Sequence, residues 1–360
     1  VGRLFPLILL GVSVGISAVE VLPQPSGGEA SLPSSPQIAQ PSVLSRSKII
    51  ASQQLAAPVT TVAFTPADQQ KLAENNAAAP VGTPVEVGVV KLIGIDVDLR
   101  PLDVSAMADQ TYGFLGGLVQ RSADQVTWVM RLDALGTGGT RLLIENCSLP
   151  DGAGIYIYNS AGDERGPYQC QPGGFWTQSI AGEQIYVQVD VPEQSSDEVR
   201  FRLSAMMLLD SSSLAFCPKN APCVEDGSCH GEHEWSAIDK ARKAIAHINY
   251  IKGASSYMCT GGLLADTDES TSIPYFLTSN QCIDSPEVAA TVETWFNYQT
   301  DICNGACKSR PYVSSTFGAS LLDHSSVDDH SLLRLDQDPP ADAWFLGWSD
   351  TPVAFNGGTM

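Results

Sequence analysis

Between about residues 84 and 209 the chain repeats one pattern, a short run of alternating apolar and polar residues followed by turn formers. The runs are Val85–Leu99, Val126–Leu132, Thr140–Asn146, Gly154–Asn159, Ile185–Val191 and Val199–Leu208. Asp-Gly, Gly-Gly and Ser-Ala-Gly-Asp clusters mark the turns between them. Side chains alternate between faces along a strand, so a period of two buries one face of a sheet. No helical segments intervene to make parallel crossovers. The pattern therefore predicts an all-β region built as a β-sandwich.

The rest of the chain sets the context. At 360 residues it can hold two ordinary domains. Its 40 Asp and Glu against 20 Lys and Arg argue against a nucleic-acid surface, which needs basic groups to neutralise phosphates. Only 17% of residues are charged, and Gly, Ser, Thr and Pro are plentiful, as suits an exported all-β protein. After Arg3, residues 4–18 form an apolar run that ends in small residues. The run is too short to span a bilayer comfortably and reads as a signal-peptide core, so residues 1–18 are expected to direct export. No later segment is apolar enough to cross a membrane, so no membrane partner is expected once the signal is cleaved. Residues 19–83 are rich in Pro, Ser, Ala and Gln without a sustained apolar period and read as disordered linker or propeptide. Within them, Thr65-Pro66 opens a short helix over 65–76. Nine cysteines, at 147, 170, 217, 223, 229, 259, 282, 303 and 307, lack any Cys-x2-Cys pair. With an export signal, disulfides are the favoured reading, and an odd count leaves at least one sulfur without a partner in this chain. Cys147 and Cys170 lie together in the sandwich segment and are expected to pair.

Residues 210–230 form a Cys-bearing boundary. Beyond it, Asp239–Tyr250 opens as an amphipathic piece and then alternates like a strand. A second set of motifs follows. It comprises Cys223 and Cys229, Ala244-Ile245-Ala246-His247, Cys259-Thr260-Gly261-Gly262-Leu263-Leu264, Pro274–Cys282, Trp295-Phe296-Asn297-Tyr298, Asp329-His330-Ser331-Leu332-Leu333 and Phe345-Leu346-Gly347-Trp348. Over about residues 223–360 these resemble trypsin-like serine endopeptidases, most closely the secreted bacterial lysyl-endopeptidase-like group. Leu149–Asn159, with Gly166-Pro167-Tyr168 and Phe175-Trp176-Thr177, is similar to the jelly-roll-like pro-region ahead of those enzymes. The resemblance implies a sandwich pro-region over 84–209, then the first barrel of a trypsin-like double β-barrel over 210–360.

The resemblance also implies site roles. In the family, Leu-Thr-Ala-x-His-Cys carries the general base; here the His position is Gln281. Asp329 matches the triad Asp on a strand, with Asp328 its nearest competitor. A glutamine amide cannot accept and return a proton near neutral pH, so the base is absent. No other His replaces it. His330 adjoins Asp329 and, on a strand, faces away, while His247 and His324 read as packing or surface residues. No Gly-Asp-Ser-Gly follows Asp329, so the chain reads as truncated before the nucleophile. Gly11-Val12-Ser13-Val14-Gly15 fits a nucleophile pattern but lies inside the signal core. The family pairing implies disulfides Cys259–Cys282 and Cys229–Cys303, and a mate for Cys223 in the second barrel; Cys217 and Cys307 have no assigned partner.

His230-Gly231-Glu232-His233-Glu234 offers two His but lacks a third ligand and a helical register, and reads as a solvated loop. No metal or cofactor is expected. The expectation for function is a secreted, extracellular or periplasmic, serine endopeptidase homologue with a polypeptide substrate class, inactive at its base position. The alternative is an exported binding protein that uses the sandwich and a dead protease fold as scaffold.

Overall fold

In a computed structural model the chain is described at residues 55, 57–102, 108–122, 124–211, 225–268, 270–306 and 313–349. The signal-core reading at 4–18, the Ser13 motif, Cys217, Cys223, Cys307 and the last ten residues lie outside the described residues.

The first half carries strands β1 (Thr60–Ala63), β2 (Val85–Asp98), β3 (Gln110–Phe114), β4 (Gly117–Arg121), β5 (Gln125–Leu135) and β6 (Thr137–Ser148). It continues with β7 (Gly154–Asn159), β8 (Glu164–Tyr168), β9 (Phe175–Trp176), β10 (Ile180–Ala181), β11 (Gln184–Pro192) and β12 (Arg200–Asp210). One sheet runs β3-β4-β5-β11-β7-β8, and the facing layer is built on β10-β6-β12-β2. Their inner faces close one core that includes Trp128, Met130, Leu132, Ile144, Ile155, Ile157, Val187, Phe201 and Leu203. Trp128 is fully buried, and its indole N–H donates to the Phe114 carbonyl at 3.0 Å, so the polar end is satisfied. Ile155 and Ile157 point into this core while Tyr158 stacks on Tyr186 across the other face, centroids 5.4 Å apart. A Cys147–Cys170 disulfide ties β6 to the chain just after β8.

Two elements fall in the stretch that reads as linker. Strand β1 pairs in parallel with β5, Thr60 opposite Leu132 through Ala63 opposite Leu135. Helix α1 (Pro66–Ala78) follows it. Thr65 accepts from the Asp68 amide while the Asp68 carboxylate accepts from the Thr65 amide, which satisfies two otherwise orphaned donors. A strand of four residues carries no sustained period; its partner β5, distant in sequence, makes it a strand.

The second half begins at helix α2 (Ile238–Ala244) and carries β13 (Ile245–Lys252), β14 (Ser255–Leu264) and β15 (Tyr275–Thr278). Helix α3 (Pro286–Ala289), β16 (Glu293–Phe296), β17 (Ser315–Phe317), β18 (Ala319–Ser325) and β19 (His330–Leu335) complete it. The strands curl into a half-barrel in which β15 bridges β14 and β19, and β18 pairs with β19. Its core gathers Ala246, Ile248, Tyr250, Leu263, Phe276, Val292, Phe296 and Leu333. The molecule is thus all-β, a sandwich followed by a trypsin-like first barrel.

The two halves share a sheet, which the sequence pattern does not announce. Strand β2 pairs on one side with β12 and on the other with β14, Val89 opposite Ser255 and Val85 opposite Met258. The sheet then runs on through β13, β16 and β17.

Candidate active-site region

Gly261 explains how the histidine-loop motifs meet. A Cβ at this position would lie 2.2 Å from Phe276 Cε1 and 2.6 Å from the Leu277 carbonyl oxygen, so β15 can approach β14 only over a glycine. The pairing sets Gly262 opposite Leu277 and Leu264 opposite Tyr275. The Thr278 hydroxyl donates to the Thr260 carbonyl at 2.9 Å. Cys282, buried beyond the end of β15, is bonded to Cys259 on β14, and together these contacts fix the turn Ser279–Cys282.

Asp329 arrives from the opposite direction. It precedes β19 in a left-handed conformation, φ 50°, which Asp tolerates better than most side chains. It is therefore a turn residue and not a strand residue, a difference from the sequence pattern. Its Oδ1 accepts from the Ser279 hydroxyl at 2.7 Å and from the Gln281 amide at 3.0 Å. Its Oδ2 accepts from Gln281 Nε2 at 3.1 Å. Three donors from one turn thus converge on one carboxylate. Asp328 instead accepts from the Ser325 hydroxyl at 3.0 Å.

The structure brings Gln281 and Asp329 together, but the chemistry of the pair is limited. The Gln281 amide N–H addresses the carboxylate as an imidazole N–H would. The exposed amide has no nitrogen lone pair able to take a proton from a hydroxyl at neutral pH. The arrangement can hold the turn and cannot run general-base catalysis.

The other histidines sit elsewhere. His330 Nε2 lies 3.4 Å from Asp323 Oδ2, and His324 Nδ1 lies 3.1 Å from Asn280 Nδ2. His247 packs between Trp295 and Tyr298, at centroid distances of 5.9 and 5.3 Å. In the loop after Cys229, His230 Nδ1 meets Glu234 at 2.7 Å and His230 Nε2 meets Glu225 at 3.1 Å. The hydrogen bond to Glu234, then the charges of Glu234 and Glu225, raise the imidazole above its ordinary pKa. Cys229 is bonded to Cys303, which closes this loop onto the segment after β16.

The residue that sequence reasoning passed over is Ser279. The family motif has Ala there, and the substitution was the available signal. Its hydroxyl donates to Asp329 Oδ1 and also accepts from the Gln281 amide at 3.1 Å.

Comparison with known proteins fits this geometry. Residues 218–359 match the family described as lysyl endopeptidase, C-terminal domain. The chain is 26% identical over 299 residues to a lysyl endopeptidase of Pseudomonas aeruginosa, an alignment that covers 77% of this chain and 62% of the relative. The chain thus spans about three fifths of the length of the curated relative it matches. Both matches are to lysyl endopeptidases, the first over the second half of this chain and the second over most of it.

Proposed function

We propose that this chain is a secreted serine endopeptidase homologue of the lysyl endopeptidase lineage in which hydrolysis is lost at the base position. One observation carries the reading: Gln281, not a histidine, is hydrogen-bonded to Asp329. In the family the base takes the proton from the nucleophilic hydroxyl as it attacks the peptide carbonyl, then returns it to the leaving amine. An amide does neither. In this proposal residues 1–18 direct export, residues 84–209 are the pro-region, and the protease-like part begins near residue 210. Polypeptides are the ligand class. The three bonds that satisfy Asp329 without an imidazole also favour a second reading, a non-catalytic polypeptide-binding scaffold.

The test uses the full gene product, including any coding sequence beyond residue 360. Wild type, Gln281→His and Asp329→Asn are compared for fluorophosphonate labelling and peptide hydrolysis. Wild type should be silent, since removal of a triad base costs on the order of 10^6 in turnover. Hydrolysis gained by Gln281→His places the decay at this residue; a silent Gln281→His variant favours the scaffold. Wild-type hydrolysis that Asp329→Asn abolishes would overturn both readings.

A further inference from the structure

Two residues in the turn before Cys282 depart from the family motif Leu-Thr-Ala-x-His-Cys. Ser279 stands where the motif has Ala, and Gln281 where it has His. Both departures end on the same carboxylate. Asp329 Oδ1 accepts from the Ser279 hydroxyl at 2.7 Å and from the Gln281 backbone amide at 3.0 Å, and Oδ2 accepts from the Gln281 side chain at 3.1 Å. These three donors are all neutral. The Ser279 oxygen also accepts from the Gln281 backbone amide at 3.1 Å, so the two residues meet each other as well as Asp329.

The turn does not need the Ser279 hydroxyl to keep its shape. Cys282 is bonded to Cys259, and the Thr278 hydroxyl donates to the Thr260 carbonyl at 2.9 Å. The Asn280 side-chain amide meets His324 Nδ1 at 3.1 Å, and the Ser331 hydroxyl donates to the Ile283 carbonyl. These fastenings lie on both sides of Ser279, and none passes through its side chain. The ionisable residues beside Asp329 are turned to other partners, Asp328 to Ser325 and His330 to Asp323. What the hydroxyl adds is a short bond to a half-buried negative charge.

That bond suits a glutamine and works against a histidine. An imidazole on Asp329 can take up a proton, after which the two groups neutralise each other. A glutamine amide carries no charge, so the carboxylate beside it is stabilised by neutral donors alone. A hydrogen bond to an ionised acceptor is roughly twice as strong as one between neutral groups, so the added hydroxyl is an effective substitute. With a base restored, the same bond draws charge toward Oδ1. Less is left at Oδ2 to stabilise the imidazolium that forms in the transition state.

We infer that Ser279 is a positioning residue coupled to Gln281: its hydroxyl supplies Asp329 with the donor strength that the histidine position has lost, and it opposes a restored base. The inference rests on the reading that hydrolysis is lost at position 281. It goes further by placing a second determinant of that loss at position 279, so that Gln281→His alone recovers only part of the activity.

The experiment crosses Ser279→Ala with Gln281→His in the full gene product, giving four proteins. The imidazole introduced by Gln281→His is titrated by nuclear magnetic resonance with histidine-selective labelling, its signal being the one that the Gln281 proteins lack. Its midpoint should rise when Ser279→Ala is added. Peptide hydrolysis by Gln281→His should rise about tenfold on the same addition, the lower end of what one hydrogen bond to a charged group is worth. Ser279→Ala alone should lower the melting of the barrel half by about 2 °C or more. Its effect should be smaller beside Gln281→His, which is the signature of coupled residues. A midpoint that does not move would overturn the inference, and so would equal melting losses in the two backgrounds. The titration needs no turnover. If both Gln281→His proteins are silent while the midpoint moves, the coupling of Ser279 stands and the reading of hydrolysis lost at position 281 fails.

Discussion

The sandwich half and the barrel half are both antiparallel β-structure, yet they are held in different ways. The sandwich closes its own core: its buried members run from Phe64 to Leu208, with Phe317 of the barrel half packed at the margin. The barrel half has a smaller core and uses cross-links and close approaches instead, with two of the three disulfides among the described residues and the Gly261–Phe276 contact. It also borrows a neighbour, since β2 of the sandwich covers the edge of β14. An uncovered edge presents unpaired N–H and C=O groups. The pairing covers an edge of β2 as well, so it is the smaller core that makes the barrel the more dependent half.

That asymmetry can be broken most directly in the two cores. Trp128→Ala in the sandwich and Phe276→Ala in the barrel should each cost about 3–5 kcal/mol, since both side chains are fully buried. Calorimetry with near-ultraviolet circular dichroism should find that Trp128→Ala lowers the melting of both halves. Phe276→Ala should lower that of the barrel and leave the sandwich folded. Equal damage from both variants, or a barrel transition untouched by Trp128→Ala, would break the comparison.

The disulfides sharpen it. Cys147–Cys170 and Cys259–Cys282 have the same sequence separation, 23 residues. The chain-entropy account therefore gives each about 3 kcal/mol. Paired Cys→Ala replacements should shift chemical unfolding midpoints similarly if the unfolded chain sets the effect. Because Cys282 is buried in the barrel core and Cys147 only packs against the sandwich core, we expect the barrel pair to cost more. A larger loss from the sandwich pair would contradict that expectation.

The smallest effect concerns the exposed loop that leads into the barrel. His230 sits between Glu234 and Glu225, with His233 also against Glu234 and Arg242 donating to the His230 carbonyl. Its pKa is raised, so the pair's contribution is fully present below the unfolded-state pKa and lost as pH rises through the folded value. Glu234 is lowered by the same partner, so its share is lost as pH falls through its own depressed value. Solvent screening keeps the effect on stability small. A nuclear magnetic resonance titration of His230 should give a midpoint above the ordinary 6.5, and Glu234→Gln should bring it down. A midpoint at or below 6.5 in the wild-type chain would show that the pair does not form in solution.

Strand runs such as Gly154–Asn159 and Ile185–Val191 were legible because alternation and turn residues are local properties of the chain. The Thr65-Pro66 helix start was legible for the same reason, since a cap is written within four residues. Gln281 could be read because a residue type at a motif position needs no coordinates. What the motif did not reveal was Ser279, whose hydroxyl matters only once the turn brings it to Asp329.

Sequence by itself determined the strand runs and the glutamine at position 281 of the histidine-loop motif; the close approach at Gly261 came from the fold. Tertiary structure alone decided that β1 is a strand, that β2 belongs to a sheet shared by both halves, and that Arg141 and Glu293 face each other. The physical reason is range. Propensity, capping and side-chain chemistry act within a few residues, whereas strand partners and buried charge pairs are chosen by what packs against them. Arg141 and the Thr291 carbonyl it binds are 150 residues apart, and only the closed fold puts them within a hydrogen bond.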